Sequence, residues 1–126
     1  MKKIIVFCSF VALSCTLSAQ SVEVGVNVDA NQIFNTVWSG LSVNEVAIVN
    51  QSNKSIRFYV YNYSDIFYAI PAHEVTVARG WSGEIAASGK SFKVRPNNQA
   101  NAEFIVTPGK AYIYYGVGKV KSKSKP

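Results

Sequence analysis

A few side chains stand at spacings close to those of known chemistries, and in each case the spacing decides against the chemistry. Gly80-Trp81-Ser82-Gly83 sets a serine among glycines but lacks the G-x-S-x-G interval that exposes a nucleophile on a strand-to-helix bend. It reads as a turn holding a tryptophan. Gly89-Lys90-Ser91 resembles the end of a phosphate-binding loop, yet the glycine such a loop needs ahead of Gly89 is replaced by Glu84. His73 is the single histidine, so no multi-histidine metal site can form. Its neighbour Glu74 would point to the opposite face of a strand, which separates the two as a catalytic pair. The seven acids are scattered singly, with no close pair of the kind that cleaves glycosides. These features predict no catalytic residues, no metal and no cofactor.

The aromatic residues are more informative. All seven tyrosines fall in two groups, Tyr59, Tyr61, Tyr63 and Tyr68 in the middle and Tyr112, Tyr114 and Tyr115 near the end. A ring that carries a hydroxyl suits a wet surface that binds something. Between Ile56 and Tyr63 the tyrosines alternate with Ile56, Phe58 and Val60. If the aliphatic face is core, Tyr59, Tyr61 and Tyr63 form an outward row, joined by Tyr68 and Trp81 as a ligand- or membrane-binding surface. Cross-strand aromatic pairing that stabilises a sheet would use the same pattern.

Behind these residues stand elements that must position them. The chain has 126 residues, 48% hydrophobic and 16% charged, enough for one domain with a packed core. Lys2 and Lys3, the apolar run from Ile4 to Leu13 and the exit Leu17-Ser18-Ala19 match a secretory signal over residues 1–19. Export is therefore expected, to the extracellular space or a periplasm. Lipidation at Cys15 is the less favoured variant, because Ala12 stands where such a signal usually has Leu. Cys8 and Cys15 are the only cysteines and both lie in this leader, so the remaining chain has to hold together by packing without disulfides.

Val22, Val24, Val26 and Val28 alternate with Glu23, Gly25 and Asn27 as in a strand with one buried face. Asp29 is a good N-cap, and Ile33, Phe34, Val37 and Trp38 follow at helical spacing until Gly40. From Val43 on, strands of about five residues alternate with Gly, Pro and Asn turns, the pattern of a sandwich or barrel. The expected fold is all-β, an antiparallel β-sandwich over residues 20–118 with one short N-terminal amphipathic helix. Residues 119–126, with Lys119, Lys121, Lys123 and Lys125 alternating with small residues, read as a disordered tail. The formal net charge of +6 resides at the two ends, since the seven cations between them match the seven acids. A neutral body argues against nucleic acid as a partner.

The order of features over residues 33–64 resembles the sea-anemone cytolysins, or actinoporins. The helix Ile33-Phe34-Asn35-Thr36-Val37-Trp38 leads toward the strand Glu45-Val46-Ala47-Ile48-Val49 and the turn Asn53-Lys54-Ser55, with the aromatic run Tyr59-Val60-Tyr61-Asn62-Tyr63-Ser64 beyond. The resemblance implies a secreted sandwich that docks on membrane lipid through aromatic residues and inserts its helix, with Ile33, Phe34, Val37 and Trp38 entering the bilayer. The Val-rich strand ahead of that helix would tether it. The functional expectation is thus a secreted, non-enzymatic binding module that engages a membrane or cell surface. The alternative is an extracellular structural or interaction protein, lectin-like or self-associating as a homo-oligomer, without membrane activity.

Overall fold

The computed structural model describes residues 22–62, 72–87 and 90–126. The leader and Cys15 lie outside these residues, as do Tyr63 and Tyr68. The described chain forms nine strands and one helix: β1 (Val22–Glu23), α1 (Ala30–Trp38), β2 (Glu45–Asn50), β3 (Ile56–Asn62), β4 (His73–Val77), β5 (Trp81–Ala86), β6 (Phe92–Pro96), β7 (Phe104–Val106), β8 (Lys110–Gly116) and β9 (Lys119–Ser124). A 3-10 turn at Ala100–Ala102 lies between β6 and β7. The strands make two sheets, ordered β1-β5-β2-β8-β9 and β4-β3-β6-β7. The fold is the expected all-β sandwich with one short helix. Its pairings are antiparallel except for β2 with β8, which run parallel.

Two cores lie on either side of the first sheet. Between the sheets, Val46, Ile48, Phe58, Val60, Val77, Val94 and Val106 are fully buried together with the rings of Tyr112 and Tyr114. On the outer face of the first sheet, Ile33, Phe34, Val37 and Leu41 cover Ala47, Val49, Ala111 and Ile113. The molecule therefore has three layers, helix on sheet on sheet. This explains why β2 (Glu-Val-Ala-Ile-Val-Asn) shows no alternation: both its faces are buried, so both want apolar side chains. The small Ala47 and Ala111 make room for the helix.

Helix α1 starts where Asp29 Oδ2 accepts from the Asn31 N–H at 3.0 Å, satisfying one of the first turn's free donors. The stripe Ile33, Phe34 and Val37 is at most 3% exposed. These residues, expected to enter a membrane, are instead the lid of the second core. Trp38 is half-buried and stacks on Phe34 with ring centroids 5.5 Å apart.

Two further expectations are corrected. The Val22–Val28 strand ends after Glu23, because Gly25 (φ +93°) and Asn27 (φ +57°) turn the chain away, leaving Val26 exposed. The lysine-rich end is not a disordered tail, since residues 119–124 form β9 at the sheet edge, paired with β8 from Lys119↔Gly116 to Ser124↔Lys110. Tyr112 and Tyr114 supply an apolar neighbour for Val120, which packs against the inter-sheet core, and this fixes the strand despite its charge.

Candidate functional site

The outward tyrosine row does not form as expected. On β3, Ile56, Phe58 and Val60 do face the core, and Tyr59 on the other face is half-buried. Tyr61 is only 3% exposed. Its hydroxyl donates to Asn98 Oδ1, and the Arg95 guanidinium lies 5.2 Å from its ring centroid. Arg95 in turn donates to Glu103 at 3.0 Å, and Lys93 pairs with the same carboxylate at 3.7 Å. A charged network thus occupies the face where an open aromatic surface was expected. Trp81 belongs to the other sheet and packs half-buried against the inter-sheet core, so it does not join Tyr59 and Tyr61 in one surface. His73 lies edge-on to the Phe92 ring at 6.3 Å, while Glu74 points away to pair with Arg57 at 3.7 Å. Among the described residues no cluster of His, Cys, Asp or Glu could hold a metal.

What the fold does assemble is a cleft at one end of the sandwich. The chain leaves β2, β4, β6 and β8 at the same end, and the four connections that follow line a cavity of about 450 Å³. Lys54 and its neighbours come from the β2–β3 turn, Arg79 from the β4–β5 turn, Asn97 and Gln99 from the turn after β6, and Tyr114 and Tyr115 from the end of β8. None of the described lining residues is acidic. Among the described residues, neither Lys54 nor Arg79 takes part in an ion pair. Both cations are therefore available to a ligand.

Asn50 sets the positions of these two cations. It is fully buried at the end of β2, and its Nδ2 donates to Lys54 O and to Val77 O, each at 2.8 Å. Its Oδ1 accepts from the Ser52 N–H at 3.0 Å and from Ser52 Oγ at 2.6 Å. Its backbone carbonyl accepts from the Gly80 N–H at 2.8 Å. One residue thus folds the turn carrying Lys54 and clamps the chain on both sides of Arg79. Gly80 has φ +84°, and its carbonyl accepts from both Val24 and Gly25 N–H. A Cβ there would come within 3.2 Å of Gly25 and Val26, so only glycine lets the N-terminal segment approach this closely. Asn50-Gln51-Ser52 also matches a glycosylation acceptor, but a buried Asn50 amide spending both protons internally cannot serve as one in the folded protein.

The other walls are fixed locally. Gln51 bridges to the N-terminal segment, donating to Gly25 O and accepting from the Asn27 N–H, and its own N–H donates to Tyr114 O at 2.8 Å. Asn97 and Asn98 adopt left-handed backbone at φ +52° and +59°, which asparagine tolerates better than other side-chain-bearing residues. Asn97 is tied on both sides of Arg57: its N–H donates to Arg57 O, and its Oδ1 accepts from the Arg57 N–H. At the fourth wall the β8–β9 register shifts between Tyr114 and Gly116, an irregularity that breaks the ladder beside Tyr115. Burial raises the Tyr115 phenol above its ordinary value, and the negative charge of Asp29 adds to this. Burial alone raises that of Tyr114. Both hydroxyls stay protonated at neutral pH and can donate a hydrogen bond.

Reading the sequence missed Lys54, Arg79, Asn97, Gln99 and Tyr115 as a group, because the topology, not local pattern, brings four turns together. The available signal was that three of the four connections open with amide or cationic side chains: Gln51, Asn53 and Lys54 after β2, Arg79 after β4, and Asn97 and Gln99 after β6. No family model, curated protein or solved structure matches the chain, so the cleft has to be read from its own chemistry.

Proposed function

We propose that the protein is an exported, non-enzymatic binding module that holds a saccharide of a cell surface in the end cleft. The observation that carries this reading is the lining itself: amides and two cations outside the ion pairs of the described residues converge from three turns, with two tyrosines from the end of β8, on one cavity of about 450 Å³. A volume of that order is ordinary for a small-ligand site. Amide and phenol groups can both donate and accept, which suits a sugar's hydroxyls, and a tyrosine ring offers an apolar platform for a pyranose face. Ligand-binding residues on turns held by a rigid sheet scaffold are a common arrangement. The leader-like start of the chain supports export.

Arrays of neutral and acidic oligosaccharides test the proposal with the wild-type protein and with Arg79→Ala/Gln99→Ala. The expected result is saturable binding to a subset of glycans that the double variant loses while its melting temperature is kept. Absence of glycan binding, or binding unaffected by the double variant and lost on Tyr59→Ala, would overturn it.

A further inference from the structure

Strand β9 carries a row of cations that leads into the cleft. Lys121 and Lys123 pair in register with Ile113 and Ala111, whose side chains face the helix, so both project on the helix side of the sheet. The Lys121 ammonium lies 5.8 Å from the centroid of the Tyr115 ring, and that ring lines the cleft. Lys123 reaches Asn31 Oδ1 at 3.4 Å and lies 6.0 Å from the Phe34 ring centroid. Lys125 donates to Leu41 O at 2.6 Å. Every one of these partners is neutral. None of the three lysines takes part in the ion pairs found among the described residues, which involve other cations. With one residue between successive lysines, the charges stand roughly 7 Å apart along the strand.

Resting on the cleft reading, we propose that the ligand is a linear anionic polysaccharide, one end seated against Lys54 and Arg79 and the chain continuing past Tyr115 along Lys121, Lys123 and Lys125. A straight row of evenly spaced charges that opens into a polar cleft matches an extended polyanion. A bilayer would instead call for apolar side chains to enter the interface beside the lysines. Among the described residues the exposed large hydrophobics stand apart rather than forming one such patch: Val117 lies at the cleft, Val26 against Gly80, Val43 in a groove beside Lys125 at the opposite end of β9, and Ile105 on the second sheet. Screening by salt follows directly from this mode of binding.

The test is a titration of the full chain with polygalacturonate oligomers and with heparin, across a range of NaCl concentrations. Three proteins are compared with wild type: a row variant (Lys121→Gln/Lys123→Gln/Lys125→Gln), its charge-retaining counterpart with Arg at the same positions, and a cleft variant (Lys54→Gln/Arg79→Gln). The expected result is binding that weakens steeply with salt, about tenfold weaker and less salt-dependent in the Gln row variant, and retained in the Arg variant. Equal losses in the Gln and Arg row variants would overturn the charge argument. An unchanged row variant with a defective cleft variant would overturn the path along β9 and leave the cleft reading standing. Binding of neutral oligosaccharides only would overturn the anionic class and again spare the cleft. Tighter binding to phosphatidylserine/phosphatidylcholine vesicles than to either polysaccharide would replace the polysaccharide with a lipid surface. If neither variant alters binding to any probe, row and cleft fall together.

Discussion

The side-chain amide of Asn50 joins the two sheets by donating to the carbonyl of Val77 at 2.8 Å, across 27 residues of sequence. The same amide holds Lys54 O, so one buried group determines where both cleft cations stand. Replacing it by alanine leaves Val77 O and the Ser52 N–H without partners in a place water does not reach. Each such loss costs about 1–3 kcal/mol, and Asn50→Ala should destabilise the fold by about 2–4 kcal/mol. The check is a shift of the urea midpoint with an unchanged slope.

β9 closes the edge of the first sheet, so removing it should do harm. Truncation after Gly118 strips the partner strand from β8 and uncovers the inter-sheet core beside Tyr112 and Tyr114. An unprotected, apolar edge strand is a template for aggregation, and lysines along an edge are one way to prevent it. The truncated protein should melt lower and scatter more light than the full chain. A disordered tail would leave both measurements unchanged.

Helix α1 should report on stability before it reports on membranes. Phe34 is 3% exposed in the second core, and Phe34→Ala should cost about 3–5 kcal/mol through the cavity it leaves. Asp29→Ala removes only the cap and should cost about 1 kcal/mol. Denaturation curves distinguish the two. Near-equal, negligible losses would mean that the helix does not belong to the core.

Alkaline pH should loosen the fold through Tyr114. Burial raises its phenol above the ordinary value of 10.0. As pH rises past that value, the unfolded chain releases this proton while the folded chain keeps it. The unfolded state then binds fewer protons, so stability falls with pH until the folded phenol also ionises. Below the ordinary value the contribution is fully present. Tyr114→Phe should flatten this decline, measured as unfolding free energy between about pH 9 and pH 11.

Local pattern was enough to read the helix, its Asp29 cap and most strand positions, because each rests on neighbours in sequence. Ile56, Phe58 and Val60 fell on the core face as alternation requires. Tyr61 did not follow, because what buries it is Arg95 and Asn98, brought in by the neighbouring strand and the turn beyond it. The lysine-rich end misled for a related reason: composition argued for disorder, while pairing with β8 and the burial of Val120 against the core decided for a strand. The cleft was illegible because its residues come from four turns that meet only after the sheets stack. Ile33, Phe34 and Val37 were recognisable as an apolar stripe, but the stripe does not state whether it faces a bilayer or the protein's own sheet. The matching small residues Ala47 and Ala111 are what place it on the sheet.

Mapping backbone amide chemical shifts during a titration with acidic oligosaccharides tests the central claim most directly. Binding in the end cleft predicts saturable changes at Asn53, Lys54, Arg79, Gln99 and Tyr115, with Tyr59 and Glu74 on the far sheet unaffected. Changes confined to the Tyr59 face, or no saturable change at any residue, would contradict it.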